Sequence, residues 1–172
     1  MQKAVQHEII AIIYFRFPDI RKCNLVETIS NFGPDFTITF NMKITKLPYG
    51  WHNILHLTTG SNCCGLGSRI PAAWLNSRNG KPFLHAPIAM TGSQIYKDIT
   101  LEMNKHYSVE LVQAAGIYSV KINGKQVWSL RSGSATFQNV KYYWSDPWKP
   151  SAGDVAILSV PKIQQGSASK MC

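Results

Sequence analysis

The chain has 172 residues, 45% of them hydrophobic and 16% charged, a balance that excludes a disordered chain and allows one domain with a substantial core. Lys and Arg number 18 against 9 Asp and Glu, so the formal net charge is +9 and anionic partners are favoured. The basic residues are scattered, which is also typical of a solvated surface. No spacing matches a helix-turn-helix, a zinc finger or an RNA-recognition motif, so we expect no nucleic-acid binding.

The first predicted element is an apolar run, residues 9–15, within an N-terminal segment 1–22. The run is as short as a signal-peptide core, but Glu8 precedes it, Arg16 follows it and no small-residue cleavage site comes next. It is too short to span a bilayer. We therefore expect a strand or a docking segment and no membrane span, with a remnant signal sequence as the alternative.

Alternating apolar and polar residues predict the following elements as β-strands. The longest such run, residues 35–44, places five apolar side chains on one face: Phe36, Ile38, Phe40, Met42 and Ile44. Further strands are predicted at residues 51–58, 106–112 and 117–122. The pair Asn123-Gly124 between two alternating runs predicts a tight hairpin turn, because both residues tolerate a positive φ.

Taken together, these runs predict an all-β fold. Roughly ten to twelve short strands and no capped amphipathic helix favour a two-sheet antiparallel β-sandwich over a parallel α/β sheet. The polar tail, residues 164–172, is expected to fray. The sequence thus predicts a single domain over residues 1–172, with the sandwich itself in residues 24–163.

Five segments share a pattern with a known class of sandwich: residues 31–40, 53–60, 69–74, 120–125 and 140–148. In that order they resemble the opening strand, the next two strands, the hairpin and the closing strand of laminin-G-like and concanavalin A-like lectin jelly rolls. The resemblance implies a jelly-roll sandwich. It leaves the function open, since this architecture carries lectins, adhesion modules, glycanases and structural domains.

Candidate ligand-binding residues come from two segments. Aromatic rings offer apolar faces for sugar rings, and a nearby carboxylate can take hydroxyls, which points to Tyr142, Trp144, Asp146 and Trp148. The glycine-bearing loop 62–69 adds Asn62 and Arg69, whose surroundings could bind a ligand through backbone amides. The alternative interpretations are that two of the rings are core with Trp148 packing a corner, and that the loop is a disulfide-anchored connection.

Groups for catalysis or metal binding are sparse. A glycan hydrolase needs two carboxylates about 5–9 Å apart, and only Asp98 and Glu102 have a suitable spacing on a strand. On a strand His52 and His56 would be about 13 Å apart, too far to share an ion, so we expect a same-face pair at a sheet surface. A calcium site built from Asp146, Asp154 and Asn62 is not favoured. We therefore expect no metal, no cofactor and no enzymatic activity.

The four cysteines, Cys23, Cys63, Cys64 and Cys172, are candidates for disulfides and favour a secreted, extracellular protein. Adjacent Cys63 and Cys64 are expected not to bond with each other. One arrangement joins Cys23 to Cys63 or Cys64 and leaves Cys172 free to link a second chain. The other joins Cys23 to Cys172, because first and last strands of a jelly roll commonly lie side by side.

The functional prediction from sequence is a non-enzymatic, lectin-like binding module that recognises extracellular glycans, anionic ones included. The alternative is a structural or matrix protein that assembles as a homo-oligomer through the same domain. A glycan hydrolase that uses Asp98 and Glu102 is the least favoured hypothesis.

Overall fold

The computed structural model describes residues 22–166. The predicted apolar strand at residues 9–15 and the tail beyond residue 166, with Cys172, lie outside the described residues. The strands, in chain order, are β1 Leu25–Phe32, β2 Phe36–Ile44, β3 His52–Thr58, β4 Ala72–Arg78, β5 Lys81–His85, β6 Asp98–Thr100, β7 His106–Ala114, β8 Ile117–Ile122, β9 Lys125–Arg131, β10 Phe137–Tyr143, β11 Ala156–Leu158 and β12 Lys162–Gln165. A 3-10 helix occupies Ala152–Asp154.

The strands form two antiparallel sheets that pack face to face, as predicted. Sheet 1 has the order β1-β10-β3-β4-β5-β6, and sheet 2 has the order β11-β2-β7-β8-β9, with β12 also paired to β2. Strand β12 extends the sandwich two residues past the predicted limit, because Gln164 and Gln165 pair with Thr37 and Phe36. Within residues 22–166, no helix is long and apolar enough to cross a membrane.

The alternation predicted for β2 is confirmed. Its apolar side chains are all buried, and those between them are half-buried or exposed. They pack in one core with inward residues of both sheets, among them Leu57, Leu75, Leu84, Val109 and Leu111. Period-2 patterning therefore decides which face of β2 meets the opposite sheet.

The predicted hairpin is also confirmed. Strands β8 and β9 pair directly, and the turn residues Asn123 and Gly124 have φ values of 51° and 76°. Both values lie in the left-handed region that a type I′ turn requires. A register shift between Val120 and Lys121 then adjusts the pairing of the two strands.

A β-bulge in β3 overturns the prediction for His52 and His56. The register shifts between Asn53 and Leu55, so His52 pairs with Leu75 while His56 pairs with Ala72. Leu75 and Ala72 lie on opposite faces of β4, because successive side chains alternate. The two histidines therefore point to opposite faces, and both are buried instead of lying at the surface.

Candidate functional site

The outer face of sheet 1, away from the core, carries a cleft of about 400 Å³. Trp74 of β4 pairs with His85 of β5, and His85 pairs with Asp98 of β6, so these three side chains line up across the sheet. Arg78 at the end of β4 and the surrounding loops supply the remainder of the lining. The lining residues are Trp51, Asn62, Cys63, Arg69, Trp74, Arg78, His85, Gln94, Tyr96, Asp98 and Lys149.

His85 lies at the floor of this cleft with its ring held on several sides. The ring centroid is 4.9 Å from that of Trp51 and 4.7 Å from that of Tyr96. Nδ1 donates a hydrogen bond of 2.7 Å to Asp98 Oδ1, and the other oxygen of Asp98 accepts from Arg78 at 3.1 Å. Within residues 22–166, Nε2 has no hydrogen-bond partner, so it is the nitrogen left to act on a ligand.

The protonation of His85 follows from its surroundings. Burial lowers the pKa of His85 below 6.5, because a charged ring loses water there. The hydrogen bond and charge of Asp98 raise the pKa, the charge of Arg69 lowers it, and burial prevails. At neutral pH the ring is therefore neutral, with the proton on Nδ1 and a lone pair on Nε2.

Arg69 forms the cationic wall of the cleft. Its guanidinium lies 4.4 Å from the centre of the Trp74 ring, a cation–π contact. Nε donates to the Asn62 carbonyl at 3.1 Å, and Nη1 donates to Gln94 Oε1. Burial lowers the pKa of Arg69 and the charge of Asp146 raises it, but a guanidinium stays charged in proteins.

The charges around the cleft suit an anion. Arg69, Arg78 and Lys149 face it, and Asp98 is the only carboxylate in the lining set. Tyr96 is 53% exposed, so its hydroxyl is open to a ligand beside His85. The arrangement combines positive charge, a neutral base and a proton donor within one small volume.

The cysteine prediction is wrong for the adjacent pair. Cys63 and Cys64 are disulfide-bonded to each other. The two Cα atoms lie 3.1 Å apart, and the peptide between them is cis. Cys23 is exposed and is bonded to neither of them. Its pairing with Cys172 falls on a residue outside the described part of the chain and stays a prediction.

The structure separates the six predicted ligand-binding residues into groups. Asn62 and Arg69 line the cleft. Trp148 is half-buried at its border, with its ring 5.3 Å from that of His56. Tyr142 lies in the core, and its hydroxyl donates to the Pro161 carbonyl at 3.3 Å. Trp144 is also buried.

Asp146 is fully buried beneath this border and organises it. Its Oδ2 accepts from His56 Nδ1 at 3.0 Å, and its Oδ1 accepts the backbone amides of Trp148 and Lys149 at 3.0 and 2.8 Å. Both oxygens are thus used by the protein itself. Asp146 orients Lys149 toward the cleft but is not itself part of the cleft lining.

The carboxylates proposed for hydrolysis are not at one site. Asp98 lines the cleft, whereas Glu102 is exposed and paired with Lys105 at 2.7 Å. Asp154 lies in the 3-10 helix and is not among the residues that line the cleft with Asn62. In the described part of the chain, no group of three His, Cys, Asp or Glu side chains is placed to hold a metal ion.

Comparison with solved structures shows that the fold is a jelly-roll β-sandwich. No protein-family model matches the chain, and no curated protein matches its sequence. An alginate lyase from Alteromonas sp. 272 matches with a TM-score of 0.51 at 9% identity, covering 80% of this chain and 73% of that one. A family 18 polysaccharide lyase matches with a TM-score of 0.51 at 8% identity, covering 80% and 74%.

A SAP-like pentraxin from Limulus polyphemus matches with a TM-score of 0.49 at 14% identity, covering 81% of this chain and 67% of that one. The likeness to the alginate lyase and to the family 18 polysaccharide lyase contradicts the prediction of a non-enzymatic, lectin-like module and the prediction of no enzymatic activity. Those predictions considered only paired carboxylates, which are the groups needed for hydrolysis. Hydrolysis is not the only reaction that cleaves a glycan.

Proposed function

We propose that the chain is a polysaccharide lyase that cleaves a uronate-containing polysaccharide by β-elimination in the cleft of sheet 1. The observation that carries the proposal is the neutral His85, with Nε2 unpartnered, next to the exposed Tyr96 and facing the cations of the cleft. The fold likeness to alginate and other polysaccharide lyases supports the same reaction class.

The reaction needs a base, an acid and a positive charge. Nε2 of His85 takes the proton from the carbon next to the uronate carboxylate, and a C=C double bond forms toward the neighbouring ring carbon. The glycosidic C–O bond to that carbon breaks, and the departing oxygen takes a proton from the Tyr96 hydroxyl. The proton balance closes when His85 later returns its proton to solvent and Tyr96 regains one.

Arg69 supplies the electrostatic part of the mechanism. Removing a proton next to a carboxylate builds negative charge on that carboxylate, and a fixed guanidinium stabilises this charge in the transition state. Gln94 and Asn62 hold Arg69 in place, so little reorganisation is needed. Trp51, which is 37% exposed, offers an apolar face for the sugar ring.

This mechanism also explains why paired carboxylates are unnecessary. Elimination consumes no water, so no second carboxylate has to activate one. Asp98 instead holds Nδ1 of His85 and thereby keeps the proton away from Nε2. We propose an extracellular location as well, since polymeric substrates and the Cys63–Cys64 disulfide both suit an oxidising compartment.

The experiment is cleavage of alginate, polygalacturonate and a neutral glucan, followed by the ultraviolet absorbance of the unsaturated uronate. His85→Asn keeps a donor for Asp98 and removes the base, so it should lower kcat by about 10²–10⁴-fold. Tyr96→Phe should lower kcat similarly, because the leaving oxygen loses its acid.

Matched controls are His106→Asn and Tyr49→Phe. Both residues are exposed and neither lines the cleft, so both variants should retain wild-type rates. The proposal is overturned if no acidic polymer yields unsaturated product, or if His85→Asn cleaves as fast as His106→Asn.

A further inference from the structure

The loop that carries the Cys63–Cys64 disulfide has two unlike halves. The half nearer β4 is buried and anchored: the Gly67 amide donates to the Ala89 carbonyl at 3.0 Å, and the Ser68 carbonyl lies 2.6 Å from His56 Nε2. These bonds fix the loop to the body of the sandwich, independently of the disulfide.

The other half, residues 61–64, is half-buried or exposed and touches the cleft residues themselves. The backbone carbonyl of Asn62 accepts a hydrogen bond from Arg69 Nε at 3.1 Å, and the backbone carbonyl of Cys64 accepts one from the backbone amide of Gln94 at 2.7 Å. Gln94 Oε1 accepts in turn from Arg69 Nη1. The three contacts form a closed circuit in which the two carbonyls flanking the disulfide determine where Arg69 points.

We propose that the Cys63–Cys64 disulfide is a positioning element for Arg69 and Gln94, and that its reduction weakens binding of the substrate carboxylate. The inference rests on the proposed function, since it concerns the same guanidinium. A bond between adjacent residues closes a small ring that fixes the peptide between them and limits how the chain on either side, with the Asn62 and Cys64 carbonyls, can be placed. Without that ring these residues regain backbone freedom, and Arg69 loses two fixed acceptors.

The redox step is an ordinary thiol–disulfide exchange. A dithiol such as dithiothreitol attacks one sulfur as the thiolate, forms a mixed disulfide and closes on itself. Two electrons pass to the protein, Cys63 and Cys64 end as thiols, and the dithiol ends as a cyclic disulfide. Cys63 is exposed, so the reagent can reach it.

The test compares wild type, oxidised and reduced, with the double variant Cys63→Ser/Cys64→Ser, using alginate or polygalacturonate as the polymer. Alkylation and mass measurement establish that both thiols are free. Reduction should raise KM about tenfold, with a smaller change in kcat, and oxidised glutathione should restore the wild type. The double variant should have the high KM under both conditions and respond to neither reagent.

Cys23→Ser is the matched control, because Cys23 is exposed and outside the cleft. It should keep wild-type KM and wild-type sensitivity to dithiothreitol. A reduced wild type with unchanged KM would overturn the positioning role, as would a double variant with wild-type KM.

Hydrogen exchange separates this inference from the proposed function. The backbone amide of Gln94 donates to the Cys64 carbonyl, so reduction should raise the exchange rate of this amide at least tenfold. The backbone amide of Ala89, which donates to the Arg69 carbonyl, should keep its exchange rate. This measurement needs no activity. If no polymer is cleaved and Gln94 exchange still responds, only the proposed function fails; if Gln94 exchange does not respond, the inference fails.

Discussion

At His85, burial and hydrogen bonding act on the same imidazole in opposite directions. Burial in the cleft disfavours the charged ring, Asp98 favours it, and the net effect lowers the pKa of His85 below 6.5. Asp98 also forms an ion pair with Arg78, so the negative charge of Asp98 acts on both Arg78 and His85. The ring is therefore neutral near pH 7, as the base in the proposed elimination must be.

This shift predicts a pH dependence of stability. A histidine whose pKa is lower in the folded state binds more protons when unfolded, so unfolding free energy rises with pH between the two values. The contribution is complete above about pH 6.5 and is lost as pH falls toward the folded pKa. Thermal unfolding midpoints from pH 5 to 8 should therefore decline less steeply toward acid in His85→Asn than in wild type. Parallel profiles would contradict the assignment.

A second residue-scale prediction concerns Asp98. Asp98→Asn removes the charge that raises the pKa of His85, so that pKa should fall further and the acidic limb of kcat/KM should move to lower pH. The substitution should also lower kcat. The introduced amide can donate a hydrogen bond to Nδ1 of His85, so the ring proton is no longer held on Nδ1. An acidic limb that stays in place would show that another group sets it.

The sequence predicted part of this site for identifiable reasons. Asn62 and Arg69 stood out because a glycine-bearing loop with a cation is locally visible. His85 did not, because its neighbours Trp74 and Asp98 are distant in sequence and meet it only through the pairing of β4, β5 and β6. Its position on a strand beside buried Leu84 was a signal of an outward side chain, but no local spacing linked it to Tyr96.

At the level of elements, local rules succeeded and irregularities were missed. The alternation in β2 and the Asn123-Gly124 turn are encoded in adjacent residues. The bulge in β3 inserts one extra residue, which reverses the face on which every later side chain of the strand lies. No residue type at this position indicates a bulge.

Glycine positions offer an element-scale test. Gly124 and Gly133 both have positive φ, 76° and 86°, but a Cβ at Gly124 would meet nothing within 4 Å, whereas one at Gly133 would overlap Cγ2 of Thr91. Gly124→Ala should cost about 1–2 kcal/mol of unfolding free energy from backbone conformation alone. Gly133→Ala should cost about 1–3 kcal/mol more, through the overlap.

Chemical denaturation measures both variants, and Thr91→Ala supplies the control. Added to Gly133→Ala, it should recover most of the extra loss, because it removes the atom that is overlapped. Equal losses for the two glycine variants, or no recovery with Thr91→Ala, would contradict the close approach of residues 91 and 133.

Over the whole molecule, the excess of basic residues has two separable effects. A net charge of +9 attracts any polyanion at long range, wherever the charges lie. The cleft adds a local effect, since Arg69, Arg78 and Lys149 surround the proposed position of the substrate carboxylate. Scattered charge in the sequence gave no indication of this grouping, because the three residues come from separate loops and strands.

Salt and position together distinguish the two effects. The screening length of the solution shortens from about 10 Å at 0.1 M salt to about 3 Å at 1 M salt, so the long-range attraction should vanish at high salt while contacts in the cleft persist in part.

Lys149→Gln and Arg131→Gln each remove one positive charge, the first at the cleft and the second on exposed β9 of sheet 2. At 0.1 M salt we expect Lys149→Gln to weaken binding of an acidic oligosaccharide about two- to fivefold. Arg131→Gln should weaken it by less than twofold. Calorimetric titration at both salt concentrations measures this difference, and equal losses for the two variants would mean that overall charge, not the cleft, attracts the ligand.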